Sequence, residues 1–192
     1  MPLAAQRTNR NIEIFRENEE KKEFRILYKT ITIDTEQQNL TTIDPQLTEF
    51  VKPNDFFYIH DLTRQLQAFV HESGIFDGIV LAQIQHTSAT LAVNELDEPM
   101  LLGDILRKIR SFVPREESYL HNGPLRTVNL CEEDTHCDRN ADAHVKSTLF
   151  GQPSVSLIVR EGELVLGQWQ KIALLEFDGP RRREVMLQVS GK

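Results

Sequence analysis

Cysteine is almost missing from this chain: 192 residues contain only Cys131 and Cys137. No disulfide framework can be built from them, and that usage fits a reducing, cytoplasmic compartment. No uninterrupted apolar run approaches the roughly 20 residues that cross a bilayer, so no membrane partner is expected. The opening MPLAAQRTNRNIEIF has no apolar stretch of the secretory kind. Positive charge is in deficit, with 22 Lys+Arg against 29 Asp+Glu and a net charge of −7. A general nucleic-acid binder needs a basic surface, so that class is excluded. Also absent are a G-x-x-x-x-G-K-S/T phosphate loop, a G-x-G-x-x-G turn and a G-x-S-x-G elbow. Nucleotide-cofactor and serine-hydrolase readings lose their support with them. No internal repeat or low-complexity segment interrupts the chain.

What is present is ordinary for a globular protein: 40% hydrophobic and 27% charged residues, in a length that suits one domain. Residues 1–22 are polar and read as a loosely held arm, with a single domain over 23–192. FRILYKTITI from Phe24 is β-branched and partly alternating, which predicts a strand. Residues 34–57 carry Asp44-Pro45 and Pro53-Asn54-Asp55, punctuating a long connection. Leu62, Leu66, Phe69 and Val70 recur at helical spacing, and Gly74 stops that helix. Residues 78–86 read as a buried strand continuing towards TLAVNE. Over 97–113 the spacing predicts a second helix with Leu101, Ile105, Ile109 and Phe112 on one face, ended by Pro114. A short helix around 140–150 precedes four strand-like runs, SVSLIV, ELVLG, QKIALLEF and REVMLQV. Their short spacings permit hairpins and leave no room for parallel crossovers, so an antiparallel meander is expected. The fold class is α+β.

Chemistry concentrates in a few polar places. His86 ends a strand run, His121 lies in the irregular stretch 115–139, and His144 sits in the short helix. Three neutral imidazoles from separate segments are what an open zinc site requires. For any one of them taken alone, the favoured reading is a hydrogen-bonded structural histidine. Cys131, His136 and Cys137 have no matching ligand pair and read as a loop with free thiols. Glu95 follows His86 by nine residues and Asp104 follows Glu95 by nine, so a helix packed over the strand end brings both to one pocket, as general base or partner of an imidazole N–H. Asp97 and Glu98 read instead as an acidic helix N-terminus. Asp178-Gly179-Pro180-Arg181-Arg182-Arg183 places three guanidinium groups on a turn, a plausible anion site or a merely solvated one. Trp169 on the neighbouring turn can stack on a ring or simply pack. Residues 138–192 hold 8 basic and 7 acidic groups, so the acidity of the chain does not extend to this segment.

Several of these segments together resemble the YjbQ-like family. The matching motifs are His86-Thr87-Ser88-Ala89 with Asn94-Glu95, Tyr119-x-His121, and Ala143-His144-Val145-Lys146-Ser147. They continue with Ser154-x-x-Leu157-x-Val159-x-x-Gly162-x-x-x-x-Gly167-x-Trp169-Gln170-x-Ile172 and Glu176-x-Asp178-Gly179-Pro180-Arg181-x-Arg183. The match runs from about 62 to 190. Gln168 stands where the family usually has Thr, and the arm 1–22 and connection 34–57 exceed the usual short N-terminus. Members are often labelled secondary thiamine-phosphate synthase enzymes. The resemblance implies a mainly antiparallel β-sandwich with a few helices, assembled as a homotrimer. It further implies a pocket near the subunit interface where His86, His121 and His144 converge, with Glu95 and Asp104 nearby. His60 and His71 match no family motif and read as structural.

Three functions compete on these grounds. The first is a transferase acting on a small phosphorylated metabolite, joining the pyrimidine and thiazole halves of thiamine phosphate and displacing pyrophosphate. Charge stabilisation of the departing group would come from Lys146, Arg181 and Arg183, with Ser88, Trp169 and Gln170 contacting substrate. The second is a hydrolase or lyase using zinc or another divalent metal on His86, His121 and His144, with Glu95 as general base. The third is a non-catalytic trimeric module that binds a small anion.

Overall fold

The computed structural model describes residues 23–35, 57–128 and 139–192. The arm 1–22, most of the connection 34–57, and the Cys131, His136 and Cys137 loop lie outside the described residues. Two antiparallel sheets form the frame. The larger has the order β1-β8-β3-β5-β6, built from β1 (Arg25–Asp34), β8 (Arg182–Gly191), β3 (Gly78–Ile84), β5 (Ser154–Arg160) and β6 (Glu163–Leu164). The smaller has the order β2-β7-β4, from β2 (Tyr58–Asp61), β7 (Lys171–Glu176) and β4 (Ala89–Asn94). Among the described residues three α-helices complete the frame: α1 (Thr63–Ser73), α2 (Pro99–Phe112) and α3 (Ala141–Phe150).

The main core lies between the sheets. Val80, Ala82 and Ile84 of β3 and Val185, Leu187 and Val189 of β8 meet Leu91 of β4 and Ile172 and Leu174 of β7. Leu62, Leu66, Phe69 and Val70 cover one side of that core along α1, the face their spacing predicts. Gly74 stops the helix in the left-handed region at φ 65°, where a side chain would be strained. The alternate residues of β7, Ala173 and Leu175, point the other way into a second cluster with Ile109 of α2 and Ala143 of α3. The order of layers is therefore large sheet, core flanked by α1, small sheet, then α2 and α3.

That double burial corrects the expected meander. β5 and β6 do pair as a hairpin, but β7 leaves for the small sheet and lies between β2 and β4. KIALLE is apolar on both faces, which suits a central strand covered on both sides and not an outer strand with one wet face. The large sheet is closed instead by β8, which pairs β1 along its whole length and β3 on its other edge. The 163–167 run is also shorter as a strand than expected, with only Glu163 and Leu164 paired.

On α2 the expected face is displaced by about one residue. Leu102, Leu106 and Ile109 are buried, whereas Phe112 is 71% exposed. The helix must cover both the second cluster and a small one formed by Leu102 and Leu106 with Phe57, Ile59 and Leu96, and this rotates its contact stripe. Glu98 caps the helix, its carboxylate accepting from the Met100 and Leu101 N–H groups at 2.8 and 2.6 Å, with Pro99 following. The helix-terminal reading of Glu98 is thus the observed one.

Where β3 and β8 meet, Gly78 and Gly191 are register partners. A Cβ on Gly78 would stand 2.1 Å from the Ser190 carbonyl oxygen, a backbone atom that cannot swing aside. Gly78→Ala is expected to destabilise the fold by about 1–3 kcal/mol, as overpacking does. Urea denaturation checks it, and an unchanged midpoint would contradict this account of the junction.

Candidate active site

The site is assembled from the ends of β3, β7 and β8 and the head of α3. Its lowest layer is an ion pair with almost no access to water. Arg183 is 4% exposed and Glu176 0%. The guanidinium donates through Nε to Glu176 Oε2, through Nη2 to Glu176 Oε1 at 2.6 Å, and through Nη2 to Ser88 Oγ at 2.9 Å. Glu176 takes two further donors, the Asp178 N–H at 2.8 Å and the Thr35 hydroxyl at 3.3 Å. A planar fork facing a carboxylate satisfies both groups, which is what permits burial of the pair. The register holds it there, with Ala89 opposite Glu176 and Ile33 opposite Arg183.

Above it lies the turn 177–181, where the Gly179–Pro180 peptide is cis. Asp178, also buried, accepts from Asn140 Nδ2 at 2.7 Å and from Arg181 Nε at 3.0 Å. Asn140 precedes α3, so this bond ties the head of the helix to the turn. One residue inside the helix, Asp142 is fully buried and accepts from Lys146 Nζ at 2.7 Å, one turn along. The Asn140 amide oxygen Oδ1 and the Asp142 carboxylate oxygen Oδ1 are both buried without a hydrogen-bond donor, the second with Arg115 Nη1 at 3.9 Å.

The histidines join this layer through a capping contact. Asn122 Oδ1 accepts from the Ala141 N–H at 3.1 Å, fixing the short 3₁₀ turn Leu120–Asn122 to the head of α3. That tether carries His121 onto His144, whose rings meet edge to face with centroids 5.2 Å apart. Burial lowers the His144 pKa below the usual histidine value, and nearby His121 and Arg126 lower it further. Asp178 and the Thr87 backbone act in the opposite sense. His144 is therefore a neutral imidazole at pH 7, able to accept a proton.

His86 has a different occupation. Its Nε2 accepts from the Glu184 N–H at 3.0 Å, continuing the β3–β8 ladder beyond Ile84. Burial and then the Arg183 charge lower its pKa, as suits a ring that must keep Nε2 unprotonated. Ser88 is buried as the acceptor of Arg183. Lys146, Arg181 and Arg183, expected to hold anions, each face a carboxylate: Asp142, Asp178 and Glu176.

Other expected members lie elsewhere. Ala89 is paired with Glu176 and Asn94 with Lys171, so Glu95 follows the far end of β4, about 20 Å along the strand at 3.3 Å per residue. Asp104 is exposed on α2 and pairs with Arg107 at 2.7 Å. Trp169 is 57% exposed, and Gln170 Oε1 accepts from the Gly167 N–H at 2.8 Å, closing that turn. His71 bonds Glu163 across the surface at 3.0 Å. Among the described residues, no three His, Cys, Asp or Glu side chains are grouped to hold a metal ion. His86, His121 and His144 are thus not gathered as one ligand set in this structure.

Sequence reading missed Glu176, Asp178, Asn140 and Asp142 as working parts of the site. The available signal was two acids closing an apolar strand, LLEFD, just before an arginine run. A buried carboxylate there demands a cation, and Arg183 supplies it. Arg126, whose charge reaches His144, had no such signal.

His60, His86 and His144 all have pKa values lowered chiefly by burial. The unfolded chain takes up these protons near pH 6.5 while the folded chain resists them, so stability falls as pH drops below that value. Urea midpoints are expected to be lower at pH 5.5 than at 7.5. His60→Leu should reduce the difference, since His60 Nε2 is buried without a partner. A midpoint independent of pH would contradict the burial account.

Among the described residues no helix is long and apolar enough to cross a membrane. Residues 50–192 match the model of the family described as UPF0047 protein YjbQ-like. A UPF0047 protein of Archaeoglobus fulgidus is 41% identical over 129 residues, covering 67% of this chain and 88% of that protein. The UPF0047 protein YugU of Bacillus subtilis is 37% identical over 131 residues, 68% of this chain and 88% of its own length. The crystal structure of a YbjQ-like protein of unknown function from Sulfolobus solfataricus superposes with a TM-score of 0.67 at 32% identity, covering 88% of this chain and all of that one. With a family match over most of the chain and relatives above 30% identity, the chain belongs to the UPF0047 YjbQ-like family.

Proposed function

We propose that this protein is an enzyme that acts on a small phosphorylated metabolite by histidine acid–base chemistry, with His144 as the general base and His121 as its partner. The observation that carries this reading is the His121–His144 contact, set on a helix whose head is locked by buried polar bonds. A neutral imidazole held in one orientation meets the first requirement of a base working near pH 7. In this reading the phosphate lies in the positive field of Arg126, the cation whose charge reaches His144. Thiamine-phosphate synthesis, with displacement of pyrophosphate, is a side reaction within reach of such a site.

The working form in this proposal is a homotrimer. Leu120, Leu125, Val128 and Leu149 are 91%, 87%, 69% and 62% exposed beside the site, an apolar surface of the kind that subunits cover.

The test is a turnover screen of phosphorylated metabolites, the pyrimidine pyrophosphate and thiazole phosphate pair included, each beside its dephosphorylated analogue. Turnover that requires the phosphate and falls in Arg126→Ala is the expected result. Equal turnover of the dephosphorylated compounds would overturn the reading. Elemental analysis of the same preparation supplies a second arm. A divalent metal at one per chain, removed by chelation together with activity, would replace this chemistry with a metal-dependent one.

A further inference from the structure

On the outer face of the small sheet, Ala92 of β4 and Ala173 of β7 are register partners. Two methyl groups side by side leave the sheet surface low just where α2 and α3 cross it. The result is a cavity of about 310 Å³, roofed by Ile105, Ile109 and Phe112 of α2 and by Phe150 of α3. It shares no lining residue with the histidine site. Its lining is apolar except for Asn94 and Lys108. Lys108 is exposed and has no ion-pair partner among the described residues, whereas its neighbour Arg107 is neutralised by Asp104.

An apolar-lined concavity with one cation on its lining, unpaired among the described residues, suits a ligand with an apolar body and one negative end. We propose that this cavity binds a small amphipathic monocarboxylate, its carboxylate on Lys108 with Asn94 as a second donor, and its hydrocarbon part over Ala92 and Ala173. A volume of about 310 Å³ lies at the small end of the range of ligand pockets, about 300–1,000 Å³. An eight-carbon fatty acid or a substituted benzoate is a ligand of this small class. A doubly charged phosphate ester would lack a second cation on this lining.

Isothermal titration of the full-length protein with octanoate, and separately with octanol, tests this. Octanoate is expected to bind saturably, one per chain. Lys108→Gln should weaken octanoate about fivefold to tenfold while leaving octanol unchanged, since only the charged contact is removed. Ala92→Leu should abolish binding of both by filling the floor, and its far-ultraviolet circular dichroism reports whether the variant is folded. Three results would each overturn the proposal: no saturable octanoate binding to the wild type, equal octanoate affinity in Lys108→Gln, or undiminished binding in folded Ala92→Leu. Because Lys108 is a surface residue, its variant keeps the test decisive even if Ala92→Leu does not fold.

Discussion

Arg183→Ala is expected to remove about 3–5 kcal/mol of stability, the cost of stranding a buried carboxylate whose partner has gone. Glu176 would keep the Asp178 N–H and the Thr35 hydroxyl, neither of which carries a full charge, and Ser88 would lose its donor. A domain of this size typically has 5–15 kcal/mol in hand, so the variant should sit near the edge of folding. Urea denaturation reads the loss. The double variant Arg183→Met with Glu176→Gln should recover part of it, because no unpaired charge is then left in the core. A single variant with wild-type stability, or a double variant whose loss is the sum of the two singles, would show that the pair is not the anchor described here.

His144→Ala should lower turnover by about 10²–10⁴-fold, the range that a positioned acid or base contributes. Its fold should survive, because the bonds that hold α3 are made by other groups: Asn140 to Asp178, Asn122 to the Ala141 N–H, and Lys146 to Asp142. This separates the two variants cleanly. Loss of Arg183 acts on stability first, and loss of His144 acts on rate with an unchanged urea midpoint. His121→Ala should cost less, since its part is to set the proton affinity of His144 and not to take the proton itself.

Local spacing carried much of this architecture in readable form. The apolar face of α1 and its glycine stop follow from positions 62, 66, 69, 70 and 74 alone, because one helix face meets one core. The path of the last strands did not follow, because pairing partners are chosen between distant segments. KIALLE reads as a strand from its residues, but its placement between β2 and β4 depends on what covers its second face. The site divides in the same way. His121 and His144 stand out as polar outliers in sequence, yet the contact between them rests on Asn122 capping a helix that begins 19 residues later. The arginines stood out too, but their charges are answered by acids whose burial only the fold determines. Glu95 and Asp104 fall at even spacing after His86, but the six-residue β4 carries Glu95 away from the turn 177–181, and Asp104 stands exposed on α2 against Arg107.

The most direct measurement of the central claim is the pH dependence of kcat/KM for the wild type and His121→Ala on a substrate found in the phosphorylated-metabolite screen. The expected profile has an acidic limb below pH 6.5 from protonation of His144, and that limb shifts upward when His121 is removed. A limb that stays in place in His121→Ala, or a rate with no acidic limb at all, would contradict the histidine pair as the working centre.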